Sequence, residues 1–107
     1  MRIENAGDTI RVLGVQELDA ATSTTFQETV QEAVTDSVRK IEVDLSGTRL
    51  LDSCGLGTLA ALRKLFGHRG GAVRLLNPAP PVQQMLELTR LHRLLEVVTE
   101  EIPAARG

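Results

Sequence analysis

Hydrophobic and polar positions along the chain change between a strand period of two and a helix period near 3.6. Two short strand-like runs, residues 1–5 and 9–15, are separated by a Gly-Asp turn sequence and predict an antiparallel hairpin. Apolar residues then recur at helical spacing over 26–38, which predicts an amphipathic helix. Thr22 or Ser23 is its expected N-cap, because a hydroxyl oxygen accepts a bond from a first-turn amide.

The rest of the pattern predicts three more strands and two more helices. In chain order they are a strand at 41–45, a helix from Gly55 to Phe66, a strand at 72–76, a helix with a buried face from Val82 to Thr89, and a strand at 94–98. Alternating strands and helices imply parallel pairing through right-handed crossovers. The expected fold class is α/β: a mixed, mostly parallel sheet of four to five strands packed with helices and starting with the hairpin. We expect one domain over 1–107, with a polar tail frayed from about residue 100.

Composition narrows the classes of partner. The 14 acidic and 12 basic residues give a net charge of -2, and aromatic residues make up 2% of the chain. Neither a positive field nor a stacking platform is therefore available, so direct nucleic-acid binding is not expected. The single cysteine, Cys54, forms no internal disulfide and suits a reducing compartment. No apolar run is long enough to span a bilayer and the first residues do not form a signal peptide, so we expect a cytoplasmic protein without membrane insertion.

The candidate site is the segment Leu51-Asp52-Ser53-Cys54-Gly55-Leu56-Gly57, which leads from a predicted strand into the second helix. Loops at the carboxyl ends of parallel strands commonly carry function. Ser53 lies just before the helix start, where free amides and the helix dipole favour an anion. A phosphate there would add about -1.5 to -2 charge beside Asp52 without disturbing the core.

Other residues of this segment allow two readings each. Gly55 and Gly57 lack side chains, so the backbone or active site of a partner could approach them closely. Leu56 is either the first core residue of the helix or an exposed contact. Asp52 and Ser53 could also do no more than cap the helix.

A second group of polar residues contains the candidates for catalysis and metal binding. Cys54 at a helix start could be a reactive thiol, but neither His68 nor His92 can be tied to it as a base. Two distant histidines and one cysteine also form no metal-ligand spacing. Asp44, within a strand, is expected to be structural. We therefore expect no catalytic residue, no metal and no cofactor.

Several motifs resemble one known family along nearly the whole chain. Asp44-Leu45-Ser46-Gly47 followed by the 51–57 segment is similar to the central signature of the STAS domain of anti-sigma factor antagonists. The further similar stretches are Glu17-Leu18-Asp19-Ala20-Ala21-Thr22, the Gly70-Gly71 pair, and Val82 to Leu94. The resemblance implies a STAS fold and a non-enzymatic regulatory protein.

The resemblance also implies a mechanism, partner switching. An anti-sigma factor serine kinase, which holds the ATP, would phosphorylate Ser53, and a metal-dependent serine/threonine phosphatase would remove the phosphate. The unphosphorylated form would bind the kinase and the phosphorylated form would release it. Asp19 matches an acidic residue near the acceptor serine, or else it caps the first helix. Most relatives carry serine or threonine at the position of Cys54, so the cysteine there resembles a small isosteric replacement.

The resemblance also allows an alternative function, and the sequence differs from the family pattern at two positions. STAS domains also serve as interaction subunits of membrane lipid or anion transport complexes. Two residues, Val15-Gln16, separate Gly14 from Glu17, whereas relatives commonly have glycine directly before the Glu-Leu-Asp motif. Arg90 occupies a position where many relatives have glycine, so a left-handed helix end there would carry a steric cost.

Overall fold

The computed structural model describes residues 1–99, and the predicted frayed tail lies outside them. The elements are β1 (Arg2–Ala6), β2 (Thr9–Leu13), β3 (Glu17–Leu18), α1 (Ser23–Ala33), β4 (Lys40–Asp44), β5 (Leu50–Leu51), α2 (Ser53–His68), β6 (Ala72–Leu76), α3 (Pro80–Leu88), a 3-10 helix (Leu91–Arg93) and β7 (Glu96–Val98).

Five strands form the main sheet in the order β1-β2-β4-β6-β7. β1 and β2 pair antiparallel, and every other neighbouring pair of this sheet is parallel. The structure thus confirms the predicted α/β class, the opening hairpin and the five-stranded, mostly parallel sheet. The parallel pairs are joined by crossovers through helices, as their order along the chain requires.

Two short strands were not predicted. β3 and β5 pair in parallel over two residues each, with Glu17 opposite Leu50 and Leu18 opposite Leu51. A two-residue strand has no measurable period, and its pairing partner lies more than thirty residues away, so no local signal reveals it. This small ladder brings the two loops that follow β3 and β5 side by side.

Several predicted boundaries were wrong by a few residues. α1 ends at Ala33 rather than Val38, because the chain leaves the helix at Val34 and Val38 packs into the core from the next loop. α2 begins at Ser53, two residues before the predicted start. The last strand begins at Glu96, since the residues before it form the 3-10 helix and its end.

One face of the sheet carries the hydrophobic core. The strand residues of this face are fully or nearly fully buried, and the helices cover them with their own apolar residues: Ile10, Val12, Ile41, Val43, Val73 and Leu75 meet Phe26, Val30, Leu59, Leu62, Phe66, Val82 and Leu86. Burying each such side chain contributes roughly 1.5–3 kcal/mol. The helix starts, including that of α2, are positioned by this packing.

The opposite face of the sheet carries a row of alternating charges. The strand registers place Glu4, Arg11, Glu42, Arg74 and Glu96 side by side across all five strands. Arg11 donates to Glu42 at 2.8 Å, and the Arg74 guanidinium lies 3.2 Å from both Glu42 and Glu96. Directly opposed unlike charges stabilise neighbouring strands. We call this row the charge ladder.

Candidate functional site

The start of α2 is held by the side chain of Asp52. Its Oδ1 accepts a hydrogen bond from the Gly55 amide at 3.0 Å, and its carbonyl accepts the first helical bond from the Leu56 amide at 2.9 Å. Asp52 is therefore the N-cap of α2. Ser53 becomes the first residue of the helix, and its side chain is exposed. Within residues 1–99 the Ser53 hydroxyl makes no hydrogen bond.

The same carboxylate joins two loops. The second oxygen of Asp52, Oδ2, accepts from the amide of Ala20 at 3.0 Å, so the loop after β3 is tied to the start of α2. The pKa of Asp52 is lowered from its usual 3.8, first because the Gly55 amide donates to it and further because the Ala20 amide does, while desolvation acts in the opposite direction. At neutral pH the site therefore carries a negative charge directly beside Ser53.

Asp19 organises the turn that precedes α1. Its Oδ1 accepts from the amides of Ala21 and Thr22, both at 3.1 Å, and its carbonyl accepts from the amide of Ser23 at 2.9 Å. These bonds shape the turn ahead of the helix, and the N-cap of α1 itself is Thr22. The expected N-cap position at Thr22 is confirmed, but the expected hydroxyl bond to a first-turn amide is absent, because the Thr22 hydroxyl accepts from the Asp19 amide at 3.0 Å instead.

Gly55 is buried against the chain's own β3. A methyl group added to it would overlap the carbonyl oxygen of Leu18 and lie 2.8 Å from Cδ1 of Leu51. The close approach predicted at this glycine is thus made by a neighbouring strand, and a partner cannot reach it in this conformation. Leu56 is 8% exposed and belongs to the core, so its core reading is the correct one.

The exposed part of the segment consists of small residues. Ser53, Cys54 and Gly57 all face outward on the first turns of α2, and a methyl group at Gly57 would meet no atom within 4 Å. Ala61 is exposed one turn further along the same helix. Leu50, 46% exposed, lies three residues before Ser53 and was missed by the sequence reading, since an exposed leucine in a two-residue strand gives no periodic signal. The exposed face of the first turns of α2 therefore consists of small side chains, with one hydroxyl and one thiol.

The other candidate polar residues do not come together into a catalytic or metal site within residues 1–99. Cys54 is a free, exposed thiol, and His68 lies about 21 Å away along α2 at 1.5 Å per residue. His92 contacts the carbonyl of Leu86 through Nδ1 at 3.2 Å. Asp44 accepts from the amide of Ser46 at 3.0 Å and so shapes the turn after β4, as expected of a structural residue. Over residues 1–99, no three histidine, cysteine or acidic side chains are grouped closely enough to hold a metal ion.

Comparison with known proteins gives one family and several relatives. The family model described as STAS domain matches residues 4–102. The chain is 28% identical over 89 residues to the anti-sigma F factor antagonist of Paenibacillus polymyxa, covering 82% of this chain and 76% of that protein.

Solved structures show the same fold at low identity. An anti-sigma factor antagonist from Mycobacterium paratuberculosis superposes with a TM-score of 0.80 and 24% identity, covering 98% of this chain and 88% of that one. The phosphorylated form of the Bacillus cell fate determinant SpoIIAA superposes with a TM-score of 0.68 and 24% identity, covering 98% and 96%. No helix within residues 1–99 has the length and apolar character needed to cross a membrane.

Proposed function

The chain belongs to the STAS domain family, and on that basis we propose that it is an anti-sigma factor antagonist that acts by partner switching through Ser53. The observation that supports this role is the free Ser53 hydroxyl, exposed on the first residue of α2 and set beside an ionised Asp52. The relative matched from Paenibacillus polymyxa is named an anti-sigma F factor antagonist, and the similar SpoIIAA has been solved in a phosphorylated form. The fold class and family resemblance predicted from the sequence are both confirmed.

The phosphoryl transfer needs little from this chain beyond an accessible nucleophile. The Ser53 oxygen attacks the γ-phosphorus of ATP held by an anti-sigma factor serine kinase, ADP leaves, and the hydroxyl proton passes to a base. Asp52 is poorly suited as that base, because its two oxygens already accept from Gly55 and Ala20 and its pKa is lowered. We infer that the kinase supplies both the base and the nucleotide. A metal-dependent serine/threonine phosphatase would reverse the modification.

The geometry supports a switch that changes binding and leaves the fold intact. A phosphate on Ser53 would project outward at a helix start, where the dipole favours an anion, and would displace no core residue. The combined charge of Asp52 and residue 53 would change from -1 to about -2.5 to -3. A partner fitted to the exposed surface of Ser53, Cys54 and Gly57 would meet both the added charge and the added volume. Asp19 and Asp52 would act by holding the two loops in place, and Gly55 and Leu56 by packing beneath them.

The acceptor is tested with a purified anti-sigma factor serine kinase from the same organism, labelled ATP and two matched variants. Ser53→Ala should incorporate no phosphate, whereas Ser46→Ala, which removes another exposed hydroxyl, should be labelled like the parent. Equal labelling of Ser53→Ala and the parent would show that another residue is the acceptor.

The switch itself is tested by titrating the kinase with variants in a calorimeter. Ser53→Asp should bind at least about tenfold more weakly than the parent, because a charge is placed against the docked surface. Ser53→Asn has almost the same shape without the charge and should retain most of the affinity. Co-purification with a transporter ATPase that Ser53→Asp leaves unchanged would instead favour the alternative role as an interaction subunit of a membrane lipid or anion transport complex.

A further inference from the structure

β1 is the terminal strand of the main sheet, and one of its edges is open. β2 pairs with one edge of β1, and no strand within residues 1–99 pairs with the other. Every residue of β1 is exposed except Ile3, which is partly buried against the core. An unpaired edge presents free backbone donors and acceptors, and it is a template for another strand unless the side chains oppose pairing.

The side chains of β1 carry a self-complementary pattern. Arg2 and Glu4 lie on the same face of the strand, 71% and 56% exposed, and their side chains are 3.6 Å apart. Glu4 is opposite Arg11 and forms the outer end of the charge ladder. A residue of positive charge placed directly beyond Glu4 would extend the alternation of the ladder by one more strand.

We propose that β1 pairs antiparallel with β1 of a second copy of this chain, about a two-fold axis at Ile3. In this register Arg2 faces Glu4 of the second copy, Glu4 faces Arg2 of the second copy, and the two Ile3 side chains meet on the core face. Two-fold dimers use the same patch on both chains, so one strand with alternating charges supplies both halves of the interface. The result is a continuous ten-stranded sheet with the helices of both copies on one side.

The charges select this register over its neighbours. Residues opposed in a two-fold sheet must lie on the same face, so the register can move only in steps of two. If the axis moves to Glu4, that residue faces Glu4 of the second copy. If it moves to Arg2, that residue faces Arg2 of the second copy. Both contacts are repulsive. A further step sets Glu4 against Ala6 and loses paired residues. Only the axis at Ile3 gives two attractive pairs.

A second copy of this chain is therefore the expected partner, because the charge pattern of β1 is complementary to itself. The pairing uses no residue of the segment 51–57, so it stands or fails independently of the role of Ser53. A strand of five residues makes a small interface, and we expect a weak dimer that forms at high protein concentration.

The test is sedimentation equilibrium at low salt, from about 10 μM to about 1 mM protein, with complementary charge reversals. Arg2→Glu alone opposes two acidic side chains across the axis, and Glu4→Arg alone opposes two basic ones, so each single variant should dimerise at least about tenfold more weakly. In an equal mixture of the two variants, a heterodimer sets the two acidic side chains of one copy opposite the two basic side chains of the other, so both facing pairs are attractive. The mixture should regain the association of the parent. Glu28→Arg on α1, with the same change in charge, should dimerise like the parent.

Each other outcome overturns the proposal. A parent that stays monomeric to about 1 mM has no such interface. Dimerisation of both single variants like the parent would place the contact elsewhere, and a parent dimer with a monomeric mixture would exclude this register. Thermal unfolding of each variant shows whether the hairpin is intact, and the mixture supplies a second check because misfolded variants would not restore association.

Discussion

Replacing Gly55 by alanine tests whether the α2 start is as tightly packed as the structure indicates. The added methyl group would overlap the carbonyl oxygen of Leu18 and lie 2.8 Å from the carbonyl carbon of Leu18 and from Cδ1 of Leu51. Real carbon atoms do not approach so closely, so α2 or β3 must move. Overpacking of this kind costs about 1–3 kcal/mol.

Gly57→Ala is the matched control, because it makes the same change two residues further along the same helix. A methyl group there meets no atom within 4 Å. Alanine is favoured over glycine in a helix by about 0.5–1 kcal/mol, and this gain applies to both variants and cancels in their difference. Gly57→Ala should therefore be slightly more stable than the parent, and Gly55→Ala should be about 1–3 kcal/mol less stable than Gly57→Ala.

The measurement is urea denaturation followed by far-UV circular dichroism, with stability taken from the midpoint and slope. Amide spectra of the Ala20 region would report whether the bond to Asp52 survives the shift of the helix. If the two alanine variants are equally stable within about 0.5 kcal/mol, the contact between the helix start and β3 is looser than described and the reasoning fails. Gly57→Ala should still weaken kinase binding, since its methyl group would lie on the proposed docking surface.

Three further changes test other parts of the structure. Arg90 has φ of 62°, so Arg90→Gly should raise stability by about 0.5–1 kcal/mol in thermal unfolding, and an unchanged midpoint would contradict this. Asp52→Asn keeps one accepting oxygen and should be less stable than the parent at pH 7. The folded pKa of Asp52 is lowered from 3.8, so the stabilisation by the ionised carboxylate is complete above that value and is lost below it. The difference in stability between the parent and Asp52→Asn should therefore close as the pH falls below 3.8. An equal gap at pH 7 and pH 3 would count against the two-loop bridge. Glu42→Gln weakens two ion pairs in the charge ladder and should cost about 1–2 kcal/mol by urea denaturation, whereas the exposed Glu28→Gln should change stability by less than about 0.5 kcal/mol.

The left-handed conformation at Arg90 is a local feature that the family resemblance could predict. The sequence comparison with the family predicted a steric cost at this position, and the structure places Arg90 in the left-handed region after α3. The N-cap at Asp52 was likewise readable, since an aspartate before a helical pattern has a local hydrogen-bonding reason to be there. Features of this kind depend on neighbours within four residues.

The function of Gly55 was not readable in the same way. In the sequence it is a small residue in a candidate loop, and the close approach of a binding partner would explain why no side chain is present there. Its actual neighbour is the Leu18 carbonyl, 37 residues earlier in the chain, and that contact exists only because β3 and β5 pair. The same pairing decided that the Asp52 carboxylate would reach Ala20.

The order of the three helices and the five strands of the main sheet, the hairpin and the fold class follow from the sequence alone, because periodicity, turn residues and helix caps act over a few residues. The tertiary structure alone decided which residues of the 51–57 segment face outward and which support them. It also placed the charge ladder in one row, since register across five strands joins residues up to 92 positions apart, from Glu4 to Glu96. Contacts between distant segments depend on how the whole core closes, and no local pattern records them.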